Sequence, residues 1–330
     1  MIWTSWRQQR WQLLTLLGLL VVGVGTIALL RSNMLDVIDS AGIARCVADA
    51  EGCDAPGGAV KAFRETWSMP LDLAQGVIMA LPILIGIFIG APLFARELEE
   101  GTHVLAFTQS VSRTRWMFSK LVVALVPALV VLVALQAAVS WWVSAAGELG
   151  PLWNGPFRST TFASGHVSPV GYALFAFALC TFLGVVTRRT LVAMTSGFGA
   201  FLVVRLALSV VPERLVPQQR LEIAADADRL SVRTPIDDGS VVLDSGQLDA
   251  AGRPVSHEHY LAVNQACKDA AGSSQDAFLA CLPRSGIAKS YWAYIPESHA
   301  WQVHLADGAI FGVLAALLLA GTVWALRRQS

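Results

Sequence analysis

The sequence predicts an all-α polytopic membrane protein: six transmembrane helices, an N-terminal interfacial helix, and a small α/β extracytoplasmic segment between spans five and six. Three observations lead there. Apolar residues make up 55% of the 330 and charged residues only 15%, where a soluble domain carries about 25% charged. The apolar residues gather in six runs, Leu13–Leu30, Leu73–Phe94, Leu121–Val143, Ser168–Thr187, Thr190–Val211 and Val303–Leu326. Each is close to the ~20 residues a helix needs to cross ~30 Å of hydrocarbon. Basic residues crowd the short connections on one side of these runs.

The first run follows MIWTSWRQQRWQ, residues 1–12. There Trp3, Trp6, Arg7, Arg10 and Trp11 mix aromatic and basic groups at near-helical spacing. Such a segment lies flat in the headgroup zone, or forms the aromatic belt of the first span. The apolar stretch after it is longer than a signal-peptide core and no A-x-A site follows, so it reads as a span rather than a cleaved leader. Pro82, Gly86, Gly90, Pro92 and Pro127 sit inside spans. Membrane helices tolerate them because neighbouring helices satisfy the freed backbone groups. Only Arg188-Arg189 separates the fourth and fifth runs, which requires a tight helical hairpin.

With the N-terminus in the cytoplasm, the inner pieces are 1–12, 95–120, 188–189 and 327–330. They hold ten basic residues in 44 positions, against 13 in the 157 positions of 31–72, 144–167 and 212–302. Positive charge favours the cytoplasmic side of short loops, so both termini are expected inside. The cysteines agree. Cys46, Cys53, Cys267 and Cys281 all fall in outer pieces, where oxidation permits bridges. Pairing Cys46–Cys53 and Cys267–Cys281 is the simplest of three connectivities, free thiols being the alternative. Each bridge would contribute about 2–3 kcal/mol by loop entropy. Cys180 is alone inside a span.

The chain divides by these runs into 1–211, carrying spans one to five, an extracytoplasmic segment 212–302, and 303–330 with span six and the tail. Within 31–72, DVIDSAGIARCVADAEGCDA and VKAFRETWSM suggest two short helices, and 144–167 reads as a loop. In 212–302, SVVLDS has strand character, LDAAGRP is a turn signal, and HEHYLAVNQACKDAAG and SSQDAFLACL read as helices. Tyr291, Trp292, Tyr294 and Trp301 suit an outer interface just before the last span. His257-Glu258-His259 lacks a third ligand at motif spacing, so no metal is expected. Nothing calls for a cofactor, and zero net charge gives no argument for nucleic acid.

The most specific stretch is Ala95–Lys120, ARELEEGTHVLAFTQSVSRTRWMFSK. Glu97, Glu99 and Glu100 open it, Gly101-Thr102 turns it, and Arg113, Arg115 and Lys120 close it. A polar segment pinned between two spans must lie at the membrane surface. The short amphipathic turn Arg96–Gly101 suits a knob docking into a groove on a soluble partner.

This string, continued through Leu121, resembles the loop after the second span of bacterial type-2 ATP-binding-cassette permeases, especially the actinobacterial half-transporter branch. Trp3–Gln8 is similar to that branch's Trp-x-x-Trp-Arg-Gln opening, and Tyr172–Ala176 to its Tyr-Ala-Leu-Phe-Ala. The resemblance implies a coupling helix that seats in a separate cytoplasmic ATPase subunit. Arg96, Glu97, Glu99, Glu100, Gly101, Thr102, Arg113 and Arg115 would form that contact. It also implies a second permease copy, identical or a related half, facing the first in the bacterial cell membrane. The expected activity is ATP-driven transport, with export of a hydrophobic or amphipathic compound as the leading expectation. The family usually has short re-entrant helices between spans five and six, whereas this chain has 91 residues there.

No G-x-x-x-x-G-K-[ST] occurs, so this chain has no phosphate loop of that type and is expected not to be an enzyme. Arg205 lies about six residues from the outer end of span five, ~9 Å deep at 1.5 Å per residue. It either snorkels to the headgroups or lines a translocation path with Gln136, Ser140, Thr195, Ser196 and Ser209. Those polar residues suit helix–helix hydrogen bonding equally well. An intramembrane enzyme would need carboxylates, histidines or a nucleophile set together in the spans, and the expectation is isolated Ser and Thr only. A membrane-anchored binding or sensor protein, with 212–302 as its working part, is the alternative.

Overall fold

The computed structural model describes residues 2–50, 53–54, 58–100, 113–227 and 239–328. Two compact units form. One comprises Met1–Trp153, Arg158–Pro212 and His304–Ser330, and the other Asn154–Phe157 and Glu213–Val303.

The larger unit is a helical body. Its helices are α1 (Ile2–Ser40), α2 (Ala59–Ile85), α3 (Pro92–Glu99), α4 (Arg113–Ala146), α5 (Ser159–Ser164), α6 (Ser168–Thr187) and α7 (Thr190–Leu208). The last helix of the chain, α10 (Ala300–Arg328), lies in it from His304 onward. Six helical segments among the described residues are long and apolar enough to cross a membrane. They correspond in order to the six apolar runs, and the chain is a multi-pass membrane protein.

Helix α6 is the hub. About 67% of its apolar window is buried inside the protein, against 6% for α1. Its surface is rich in small residues, Gly171, Ala173, Ala176, Ala178 and Gly184, all buried. Small residues let helix backbones approach closely where apolar burial alone gives no preference over lipid. The second span exploits this. Between α2 and α3 a five-residue π-turn, Gly86–Gly90, is closed by Ala91 N donating to Gly86 O at 2.9 Å. Pro92 follows directly and has no N–H to continue the ladder, which places the irregularity there. A Cβ at Gly86 would come within 2.7 Å of Ala176 O, and one at Gly90 within 2.8 Å of Phe177 O. The bulged turn therefore rests backbone to backbone on α6.

One apolar core joins α1, α2 and α4 around Met34, Leu71, Ile78, Leu132 and Trp142. A second joins α2, α6, α7 and α10 around Tyr172, Phe175, Phe201 and Phe311. The hairpin at Arg188-Arg189 forms as expected, with Arg188 in the left-handed region at φ 53° and Arg189 extended. The Cys46–Cys53 bridge is present, with Cys46 wholly buried.

Several expectations need correction. A separate interfacial helix over 1–12 does not form; α1 runs unbroken from Ile2 to Ser40. No Pro or Gly stands at the junction to break it. Of the first helix expected in 31–72, the residues to Ser40 belong to α1 and Ala44–Val47 form a short 3-10 turn, while VKAFRETWSM lies at the start of α2. The 144–167 segment holds α5 and two short 3-10 turns rather than a plain loop.

The smaller unit carries β1 (Gln219–Ala224), β2 (Val241–Leu248), α8 (His257–Ala271), α9 (Gln275–Arg284) and β3 (Lys289–Ile295). The sheet is antiparallel in the order β1-β3-β2, with Gln219 opposite Tyr294 and Val241 opposite Ile295. Ser256 and Ser274 cap the two helices by accepting from His259 N and Ala277 N. Both helices and the expected strand over SVVLDS are found. Tyr291, Trp292 and Tyr294 occupy the central strand, where aromatic side chains suit a pleated surface. The Cys267–Cys281 bridge ties α8 to α9 over a small core of Val263, Leu282 and Ile287.

The backbone contact of the π-turn makes a prediction. Gly90→Ala forces α2 and α6 apart and should cost about 1–3 kcal/mol, seen as a midpoint several degrees lower on thermal unfolding in detergent. Gly199 has nothing within 4 Å of its virtual Cβ. Gly199→Ala should leave the midpoint unchanged or raise it.

Candidate functional site

Two polar sites stand out in the helical body, one toward each end of its helices. The first lies where the second, third and fifth spans end near the 95–120 segment. Arg96 Nε pairs with Glu100 Oε1 at 2.9 Å, an exposed i, i+4 contact. Glu97 instead reaches across to Lys120, whose side chain is only 5% exposed. The Lys120 ammonium also lies 4.6 Å from the centre of the Trp116 ring. Glu99 Oε2 accepts from Thr190 N at 3.2 Å and from Thr190 Oγ1 at 3.0 Å. It thus satisfies an orphan donor at the start of α7 and places negative charge at that helix's positive end. Glu97 and Glu99 therefore tie α3 to α4 and α7. Arg113 and Arg115 open α4. Gly101 and Thr102 lie outside the described residues.

The second site gathers polar side chains from α4, α6, α7 and α10 and from His166 just before α6. Gln136 of α4 donates to His166 O at 2.6 Å. His166 sits just before α6 with φ 51°, a conformation rare for a residue with a side chain. Its ring stacks on His304 of α10 at 4.4 Å between centres, and Phe162 of α5 stacks on His304 at 4.1 Å. His304 Nδ1 and Ser168 Oγ are 2.9 Å apart. One turn along α10, Asp307 interacts with Tyr172 and Ser168 of α6 and with Arg205 of α7. The Arg205 guanidinium lies 4.0 Å from the centre of the Tyr172 ring. Ser168, His304, Asp307 and Tyr172 are each at most 4% exposed.

Of the path residues expected from sequence, the structure brings Gln136 and Arg205 into this cluster. Ser140 is exposed on α4. Thr195, Ser196 and Ser209 bond back to carbonyls one turn earlier on their own helix. The expectation of only isolated Ser and Thr inside the spans is overturned, since His304 and Asp307 belong to the sixth span. Their i, i+3 spacing at the head of an apolar run was the available signal. The trio Ser168, His304 and Asp307 is still not a hydrolase triad. Nδ1 of His304 faces Ser168 Oγ itself, and among the described residues no hydrogen bond between a carboxylate and the imidazole is found, so the acid–base–nucleophile relay is not assembled.

Among the described residues no group of three or more His, Cys, Asp or Glu side chains could hold a metal ion. His257, Glu258 and His259 are all exposed on α8.

In comparisons with known proteins, a family model described as ABC-2 membrane transporter related matches residues 17–212. No curated protein and no solved structure matches the chain.

The Glu97–Lys120 pair can be tested by a double-mutant cycle. Lys120→Met strips one partner from a buried ion pair and should cost about 3–5 kcal/mol. The double variant Glu97→Gln with Lys120→Met should be less damaged than the sum of the two, read by thermal unfolding in one detergent. Strict additivity would mean the two side chains do not interact.

Proposed function

The chain belongs to the ABC-2 membrane transporter related family, and from that premise we propose that it is the permease of an ATP-driven exporter for a hydrophobic or amphipathic compound. In this reading its energy comes from a separate cytoplasmic ATPase subunit. The observation that carries it is the polar 95–120 segment held between two apolar spans inside the matched region. The chain itself has no phosphate-binding loop of the G-x-x-x-x-G-K-[ST] kind, so the hydrolysis would fall to the partner.

The two carboxylates at its start are engaged within the chain, Glu97 by Lys120 and Glu99 by Thr190. Their part in coupling is then to transmit rather than to dock. A push on the segment moves α3, and the two ties carry that movement into α4 and α7. Docking itself falls to Arg96, Glu100 and the residues from Gly101 through Arg115. Two copies of the chain, or this chain and a related half, would face each other over two ATPase subunits in a bacterial cell membrane. Both ends of the chain lie on the cytoplasmic side in this arrangement, in keeping with the clustering of arginines and lysines there.

A second reading has one observation in its favour. The 213–303 unit has its own disulfide-tied core and a cavity of about 390 Å³ lined by residues including Gln247, Tyr260, Asn264, Lys268, Phe278 and Trp292. That suits a membrane-anchored binding protein without transport activity.

Replacing residues 101–112 by a Gly/Ser linker of equal length separates the two readings. The permease reading expects loss of co-purification with the ATPase subunit and of ATP-driven transport in proteoliposomes, with membrane insertion retained. Undiminished ATPase association in that variant would overturn it.

A further inference from the structure

We propose that Asp307 is a proton-binding site inside the membrane body, loaded and emptied as α10 moves against α6 and α7. Asp307 is only 3% exposed, and its buried Oδ2 has no hydrogen-bond partner among the described residues. An ionised carboxylate that leaves one oxygen undonated in an enclosed, apolar setting is costly. A proton on Oδ2 removes the charge and turns that oxygen into a donor.

A proton is also what the space admits. Just beyond the site the backbones of α6 and α10 touch, and a Cβ at Gly171 would lie 3.0 Å from Gly308 Cα. No cluster of metal-ligating side chains is present among the described residues. An organic substrate or a hydrated cation would have to part the helices to enter.

The groups facing Asp307 supply the rest. Tyr172 and Ser168 of α6 offer hydroxyls, and Arg205 of α7 offers the counter-charge. On its own helix His304 lies one turn back, engaged by Ser168 and stacked on His166. From α4 the cluster receives the uncharged Gln136, and from α5 the Phe162 ring.

The ionised carboxylate and the Arg205 guanidinium together are neutral, and their attraction draws α10 toward α7. When water reaches the site, the hydrated carboxyl group releases its proton to water and the ion pair with Arg205 forms. Closing the helices again strips that water from the site as a proton returns from it to Asp307. The closed site then carries the single positive charge of Arg205 and that attraction is lost. Proton occupancy and helix arrangement are thereby linked, each biasing the other. Only this consequence for the transport cycle rests on the permease reading; the site itself does not.

Infrared difference spectroscopy of the full chain in lipid nanodiscs, between acidic and alkaline buffer, tests the site directly. The wild type should show the C=O band of a buried carboxylic acid on the acidic side. Asp307→Asn should remove it, and Asp276→Asn, at an exposed helix start, should keep it. Tyr172→Phe, which removes a hydroxyl facing the carboxyl group, should shift the band to higher frequency and provides the reading if Asp307→Asn does not fold. Spectra unchanged by both Asp307→Asn and Tyr172→Phe would overturn the proposal, as would the absence of any such band in the wild type. A band that titrates in a chain that engages no ATPase would keep the site and remove the permease reading. ATP-driven transport with a band indifferent to Asp307 would do the reverse.

Discussion

Hydrocarbon offers no hydrogen bonds, and that one deprivation organises this molecule. Every polar group carried into the spans must be answered by another part of the chain. Some hydroxyls, such as those of Thr195 and Ser196, are answered along their own helix, but the ties that set the arrangement run across helices. Lys120 is met by Glu97, Thr190 by Glu99, His304 by Ser168, and the carbonyl of His166 by Gln136. Each tie joins elements far apart in sequence, so the polar contacts fix which helices are neighbours. Apolar packing fills the space between them without choosing a partner so sharply, since lipid tails are as apolar as leucine.

Helix α6 is the meeting point because it is built to be approached. Its small residues admit the π-turn of the second span at Gly86 and Gly90, and the backbone of α10 at Gly171. The same helix carries Ser168 and Tyr172 into the cluster around Asp307. Close approach and polar satisfaction are one arrangement here: moving α10 off α6 would unpack the glycine contact and expose the carboxylate together. On the proposed reading, a push at the Glu97 end is felt through α3 and α4, while the Asp307 end registers the resulting helix positions as charge.

Much of this was legible in the sequence, and the reasons for the misses are physical. Six spans follow from run length alone. The two disulfides are the simplest of the three connectivities that four cysteines leave open, and α8 and α9 were readable as helical stretches. Only one strand of the three was visible. β1 is short and mostly exposed, and the aromatic pattern of β3 has the same composition as a membrane-interface belt. The continuation of α1 through both expected boundaries was hidden because helix ends are marked by caps, and none stood there to be read. The Asp307 cluster was hardest. Its members lie at 136, 166, 168, 172, 205, 304 and 307, so no window of sequence contains them. Only the short stretches 166–172 and 304–307 bring members together locally. Spacing could show that Arg205 was unusual for a span, but only folding supplies the tyrosine ring beneath it. The Glu97 and Glu99 contacts were hidden likewise, because sequence displays carboxylates at a surface loop and cannot show that they point back into the protein.

Coupling to an ATPase requires the 95–120 segment to face the cytoplasm, where that partner can reach it. The native cysteines leave the assay clean, since four are bridged and Cys180 is buried. A single cysteine introduced as Thr102→Cys should resist a membrane-impermeant maleimide in intact cells and react once the membrane is opened. Full labelling from outside intact cells would contradict the orientation, and with it the coupling to an internal ATP-driven partner.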